Sequence, residues 1–223
     1  VGRKLLLAGA GVVSVAGVAL MGFGLLGMIN PDKKGEVGTA RTIPTGRPAP
    51  LPAIQVPHGR IARPMKAAQP TAVYIPSIGV AAPLMELGLD PGGAIENPPL
   101  SPPNLAGWYR YGPVPGQRGA AVITGHLDTK TGPAVFARLS NVKKGDQIQV
   151  LRADRSVAVF LVDKIEHTPK TGFPTRKVYG RLTYPGLRLV TCGGAFDARA
   201  GSYRENTIVY AHLAAPYYPG RRS

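Results

Sequence analysis

Residues 187–213 read LRLVTCGGAFDARAGSYRENTIVYAHL and hold the one cysteine of the chain, Cys192. Two runs of strand-forming residues, LRLVTC (187–192) and NTIVYAHL (206–213), flank a glycine-containing polar segment, the pattern of two strands that turn back on one another. Side chains alternate along a strand, so Leu187, Leu189 and Thr191 share one face while Arg188, Val190 and Cys192 share the other. An antiparallel return brings Arg204, where the second run begins, back to the rim at which Cys192 leaves the first.

The same pattern extends upstream. AVYIPSIGV (72–80), GAAVITGH (119–126), DQIQVL (146–151) and VAVFLVDKIE (157–166) are short β-like runs punctuated by Gly and Pro. Many such strands favour a mostly β fold, closed or sandwich-like. The spacing predicts a helix over PAVFARLSNV (133–142), with Pro133 suited to a first turn and Gly145 beyond the end. Residues 96–119 form a proline-rich excursion that Trp108, Tyr109 and Tyr111 are expected to pin as an ordered loop.

Toward the N-terminus the composition changes twice. Residues 5–29 carry no charge and would span about 37 Å as a helix, against roughly 30 Å of bilayer hydrocarbon. A cleaved signal peptide would need Gly17-Val18-Ala19 as its site and would cut this run in half, so a retained anchor is expected. Arg3 and Lys4 favour a cytoplasmic N-terminus, and Lys33, Lys34 and Arg41 on the other flank weaken that asymmetry. Residues 30–70 contain eight prolines and seven basic residues with almost no periodic apolar pattern, and are expected to act as an extended spacer. The expected organisation is a stub and transmembrane segment (1–30), a spacer (31–70), a catalytic domain (71–213) and a basic tail (214–223).

The net charge is +15, of which residues 1–70 supply +7 and the remainder +8. On an anchored chain such an excess suits anionic lipid headgroups and an anionic envelope. Nucleic acid is disfavoured because no stacking-aromatic motif or recognition helix accompanies the charge. With a single cysteine there is no intrachain disulfide, so the domain must be stable on its own core.

A nucleophilic cysteine needs a proton partner and a donor for the oxyanion that forms when it attacks a carbonyl. Arg204 is placed for the second role. Of the four histidines, His58 lies in the spacer, His167 in a turn-rich connection and His212 near the far end of the last strand; His126 ends a strand, as Cys192 does. Each residue has a plainer alternative. Cys192 reads alone as a small buried hydrophobe, Arg204 as a surface charge paired with Glu205 or Asp197, and GHLD (125–128) as half of a metal site whose other ligands are missing. The glycines after Cys192 favour close backbone approach by a ligand.

LVTC (189–192), the Arg of YRENTIVYA (203–211) and the upstream VITGH (122–126) resemble the sortase signature. IPSIGVAAPLMELGLD (75–90), the 97–128 stretch, GPAVFARL (132–139), KKGDQIQV (143–150) and LVTCGGAFD (189–197) extend the resemblance to the class F sortases of high-GC Gram-positive bacteria, over roughly residues 71–213. The resemblance implies a sortase-type eight-stranded β-barrel with short helices, preceded by the transmembrane helix, in a cysteine transpeptidase held single-pass in the cell membrane with its catalytic domain outside. It implies cleavage of a Leu-Pro-X-Thr-Gly-like sorting signal between Thr and Gly, with His126, Cys192 and Arg204 catalytic and Thr191 lining the substrate groove. The implied partners are a secreted protein bearing the signal, an amine acceptor on a cell-wall precursor, and the bilayer through residues 5–29. No cofactor and no metal are implied, and Asp128 and Asp197 read as loop residues.

Two other readings compete. A peptidoglycan L,D-transpeptidase also uses a thiol and an arginine, but its Ser-x-Gly-Cys-x-Arg pattern is missing from LVTCGGAFD. A membrane-tethered wall-binding module without catalysis would leave Cys192 incidental.

Overall fold

A computed structural model describes residues 43–57 and 59–220. Ten strands follow in chain order: β1 (Pro70–Ile75), β2 (Val80–Leu87), β3 (Ala106–Tyr109), β4 (Gly119–Gly125), β5 (Asp128–Thr129), β6 (Gly132–Pro133), β7 (Gln147–Arg152), β8 (Val157–Pro169), β9 (Pro185–Asp197) and β10 (Ser202–Tyr217). Eight close a barrel in the order β1-β2-β3-β4-β9-β10-β8-β7, and β5 pairs with β6 outside it. The eight-stranded β-barrel with short helices expected from the sequence is therefore present. The pairs β2–β3 and β4–β9 are parallel, and the other barrel pairs are antiparallel.

Alternation sorts the apolar residues into two layers. Ala121 and Ile123 of β4, Leu187 and Leu189 of β9 and Val209 of β10 point into the barrel with Ile75, Leu84, Ile148 and Phe160. Val122, Val190, Cys192, Ile208 and Tyr210 point outward and are covered by Val178 of α1 (Thr175–Tyr179), the one α-helix among the described residues. Each fully buried Val, Leu or Ile contributes roughly 1.5–3 kcal/mol, so the register of β4, β9 and β10 is fixed from both sides.

Several sequence expectations change. AVYIPSIGV is not one strand, because a 3-10 turn over Pro76–Ile78 and the left-handed Gly79 (φ 68°) divide β1 from β2. Residues 133–142 are not an α-helix. Their amide groups are used elsewhere, Val135 N–H bonding Pro103 O and Phe136 N–H bonding His126 O, both at 3.0 Å, and only a 3-10 turn at Leu139–Asn141 remains. The proline-rich excursion contains β3, which pairs β2 and β4. The last strand runs past residue 213 to Tyr217, where it still pairs with Val157.

Of the expected spacer, the described residues from 47 onward lie along the barrel. Tyr74 Oη donates to Ala49 O (2.9 Å), Gln147 Nε2 to Ile54 O (3.0 Å) and Ala62 N to Leu213 O (2.7 Å), while Ile54 packs on Val157 and Val159. Among the described residues no helix is long and apolar enough to cross a membrane. The apolar run 5–29, the first part of the spacer and His58 lie outside the described residues.

Because Ile54 is only 8 % exposed, Ile54→Ala is expected to lower unfolding free energy by about 2 kcal/mol, at the low end for a buried Ile lost to Ala. Chemical denaturation of the full chain measures it; no loss of stability would mean that the segment does not hold the barrel.

Candidate active site

The parallel register of β4 and β9 runs from Gly119↔Pro185 to Thr124↔Val190. Continued by two residues, it sets His126 beside Cys192, both on the outer face. Across the antiparallel pairs Cys192 faces Asn206, and Asn206 faces Thr168. The result is a row of His126, Cys192, Asn206 and Thr168 over four adjacent strands. His126 and Cys192 are each 9 % exposed.

His126 is held from two directions. Its carbonyl accepts from Phe136 N–H, and its Nε2 lies 2.6 Å from Pro98 O. A carbonyl only accepts, so Nε2 carries the proton and the neutral ring keeps its lone pair on Nδ1. Gly125, just before it, has no room for a side chain: an added Cβ would stand 2.6 Å from Val135 and 2.7 Å from Phe136.

Burial pushes the Cys192 thiol above its ordinary pKa; nearby Asp128 adds to the rise and Lys170 opposes it. The resting thiol is therefore mostly protonated at neutral pH. Asp128 accepts a hydrogen bond from Tyr203 Oη, which ties the loop after His126 to β10. That bond is the main reason the Tyr203 hydroxyl is pushed up to about 12, with burial and the Asp128 charge adding to it. Tyr203 also packs edge-on against Phe196, with ring centroids 5.2 Å apart.

Arg204 lies where the β9–β10 register shifts, opposite Gly194 and Ala195. At this shift the side chain packed in the outer cluster with Cys192 is that of the neighbouring Tyr203. Its guanidinium, on a side chain 67 % exposed, bonds Asp197 Oδ2 at 3.2 Å. Asp197 also accepts from the N–H groups of Ala200 and Arg199, which, with Arg204, hold its carboxyl below the usual range. The pairing of Arg204 with Asp197 was one of the plainer alternatives in the sequence.

Thr191 faces the barrel interior, 1 % exposed, with its Oγ1 buried and without a hydrogen-bond partner. It lies on the sheet face opposite Cys192. His167 is in β8 and not in a turn-rich connection; it pairs Thr207 and shares a hydrogen bond with that hydroxyl (Nδ1 to Oγ1, 3.1 Å). His212 sits two turns of the alternation away, with Nδ1 2.6 Å from Asp163 Oδ1. The close approach permitted by the two glycines after Cys192 is made by β10: a Cβ on Gly193 would stand 2.7 Å from Thr207 Oγ1, and Gly194 (φ 71°) abuts Glu205.

Pro98, Tyr203, Lys170 and Asn206 were not singled out from the sequence. Asn206 was the accessible one, since pairing the two runs residue by residue places it opposite Cys192. Its Oδ1 is buried with no hydrogen-bond partner. Among the described residues no three His, Cys, Asp or Glu side chains converge to hold a metal ion.

A family model described as the sortase domain matches residues 73–214. Among solved structures, the barrel is similar to a lid mutant of sortase A from Corynebacterium diphtheriae, at 19% identity and TM-score 0.53, over 67% of this chain and 72% of that one. It is similar to sortase C1 from Streptococcus suis at 18% identity and TM-score 0.52, over 70% and 77% of the two chains. Listeria monocytogenes sortase A gives 16% identity and TM-score 0.51, over 68% and 90%. At these identities the structures show a shared fold. A search of curated proteins found no match.

A raised thiol pKa means that the folded state disfavours the thiolate; its contribution to stability is full below the unfolded thiol's pKa and is lost as pH rises through the folded value. Iodoacetamide should therefore modify Cys192 more slowly in the folded than in the unfolded protein at pH 7.5. Asp128→Asn removes a charge that raises the pKa and should therefore speed alkylation of the folded protein at pH 7.5. An unchanged pH–rate profile in the variant would remove Asp128 from the electrostatics of the thiol.

Proposed function

The chain belongs to the sortase family, and from that membership we propose that it is a cysteine transpeptidase that cleaves a Leu-Pro-X-Thr-Gly-like sorting signal between Thr and Gly. The observation that carries this reading is the β4–β9 register, which sets an imidazole with a defined tautomer beside the only thiol of the chain. Cys192 attacks the Thr carbonyl as thiolate, its proton passing to Nδ1 of His126. The oxyanion collapses, the C–N bond breaks, and the Gly amine leaves with the proton returned by His126. The acyl group is then a thioester on Cys192. An incoming amine attacks it, gives its proton to Nδ1, and releases the thiol. Pro98 O keeps the ring in the tautomer that both steps need.

Arg204 stabilises the oxyanion in this scheme after leaving Asp197. The ion pair it would give up is solvent-exposed and therefore weak, so substrate can compete for the guanidinium. Thr191, beneath the thiol on the inner face, acts through packing of the strand end rather than by touching substrate. Toward the start of β4, Val122, Tyr109 and Tyr179 line a cavity of about 320 Å³ together with Arg118 and Arg181.

The finer assignment is class F, carried by the sequence resemblance over residues 71–213. In the cell the enzyme acts as a single-pass membrane protein, anchored through residues 5–29 with its catalytic domain outside, and attaches secreted proteins to the wall by using an amine of a cell-wall precursor.

The full chain in a neutral detergent, mixed with a panel of Leu-Pro-X-Thr-Gly-like peptides and an amine acceptor, should yield cleavage after Thr and an amine-linked product. Cys192→Ala should abolish both. His126→Gln should lower kcat/KM by about 10²- to 10⁴-fold, as expected for loss of a general acid–base, and Arg204→Gln by about 10²- to 10³-fold, as for loss of an oxyanion donor. Cleavage that survives Cys192→Ala would overturn the proposal.

A further inference from the structure

The outer face of the sheet continues past the catalytic row toward the opposite end of β9. Next below Val190 on that face is Arg188, paired across to Tyr210, which in turn pairs Lys164. The Arg188 guanidinium stacks on the Tyr210 ring (4.8 Å to the centroid), and Lys164 Nζ stands over the same ring at 4.4 Å. Arg188 is 4 % exposed. Its Nε and Nη1 donate to the carbonyls of Lys177 and Leu187, at 3.1 and 3.0 Å, and among the described residues it forms no ion pair. Burial disfavours its charge, and Tyr184, through its charge and a hydrogen bond, Tyr210 and the Asp163 carboxylate favour it. Arg176 on α1 has no ion pair among the described residues either.

These side chains surround a cavity of about 520 Å³ into which Lys164, Arg176, Lys177, Arg188, Tyr210 and His212 project. The carboxylates at hand are already engaged. Asp163 is bonded by His212 Nδ1 at 2.6 Å, and Glu166 is bonded by Lys164 at 2.7 Å and Lys177 at 3.3 Å. His212 Nε2 is buried and has no hydrogen-bond partner. Lys164, Arg176, Lys177 and Arg188 therefore line one void with a single carboxylate, Asp163, and with His212, whose Nε2 has no partner.

We propose that this cavity binds a phosphate group. Guanidinium groups match phosphate oxygens in bidentate geometry, and two of them match its second charge better than the single charge of a carboxylate. With Nδ1–H donated to Asp163, the neutral His212 ring presents an acceptor at Nε2, which fits the P–OH of a monoprotonated phosphate and finds no partner on a carboxylate. The protonated ring presents a donor instead. Ile61 of the N-terminal strap lines the same cavity, so a phosphate on a lipid headgroup and a soluble phosphate are both within the chemistry.

The test uses the full chain in neutral detergent, with inorganic phosphate as the probe and chloride at equal ionic strength as the control. Acetylation of Lys164 and Lys177, mapped by mass spectrometry against Lys143, should slow severalfold and saturably with phosphate but not with chloride. Arg176→Gln and His212→Gln should each raise the half-effect concentration at least tenfold. Cys192 alkylation at the wild-type rate certifies that a variant is folded. Repeating the titration in phosphatidylcholine vesicles with and without phosphatidylglycerol separates the sources. A phosphate response lost only with phosphatidylglycerol identifies the headgroup, and one that persists in both identifies a soluble phosphate. No protection in detergent, or equal protection in both variants, overturns the site whether or not the chain cleaves sorting signals.

Discussion

The parallel pairing of β4 with β9 is the constraint on which the site depends. Parallel neighbours run the same way, so His126, just after β4, and Cys192, which lies within β9 rather than at the strand exit the sequence suggested, come side by side although 66 positions separate them in sequence. The register cannot slip by one, because a slip would turn Ile123 and Leu189 out of the barrel and Val122 and Val190 into it. Core burial therefore sets the lateral position of His126 against Cys192 with no direct bond between them. The intervening chain, which builds β7 and β8, closes the barrel on its far side and leaves this rim open.

Fixed backbone groups hold the residues around the thiol, and the charges of Lys170 and Asp128 act on it in opposite directions. Pro98 O and Phe136 N–H hold the imidazole, and the Asp128–Tyr203 bond joins the loop after β4 to β10. Burial keeps the thiol protonated at rest. In the proposed mechanism substrate recruits Arg204 from Asp197, and turnover is governed by assembly of the ionised pair as much as by the bond-making steps. The same sheet face, followed to its other end, carries Arg188, and Arg176 of α1 lines the same cavity.

Alternation in LRLVTC and VITGH was enough to read from sequence the face that carries Cys192, because Leu187, Leu189 and Ile123 mark the inward face with apolar side chains. The register places His126, the residue after β4, near Cys192, and His212 lies within β10. Local pattern failed where long-range bonds decide the backbone. PAVFARLSNV has helical spacing, yet its amides bond Pro103 and His126 across the fold. AGWY is too short and too embedded in prolines to signal a strand, and its pairing with β2 and β4 makes it one. The proline-rich spacer lacks periodicity because it binds through its carbonyls and a few side chains such as Ile54, interactions that leave no repeat in the sequence. The rotamer of Arg204 is a contest between an exposed carboxylate and a substrate, which no strand pattern encodes.

The central claim is that Cys192 carries the acyl group. Mixing the full chain with a cleavable sorting-signal peptide in the absence of an amine, quenching in acid and measuring the intact mass tests it directly. The mass should rise by that of the peptide up to and including its Thr, the increment should map to the tryptic peptide containing Cys192, and hydroxylamine should remove it. Peptide cleavage accompanied by an unmodified Cys192 at every quench time would contradict the thioester mechanism and with it the functional meaning given to the β4–β9 register.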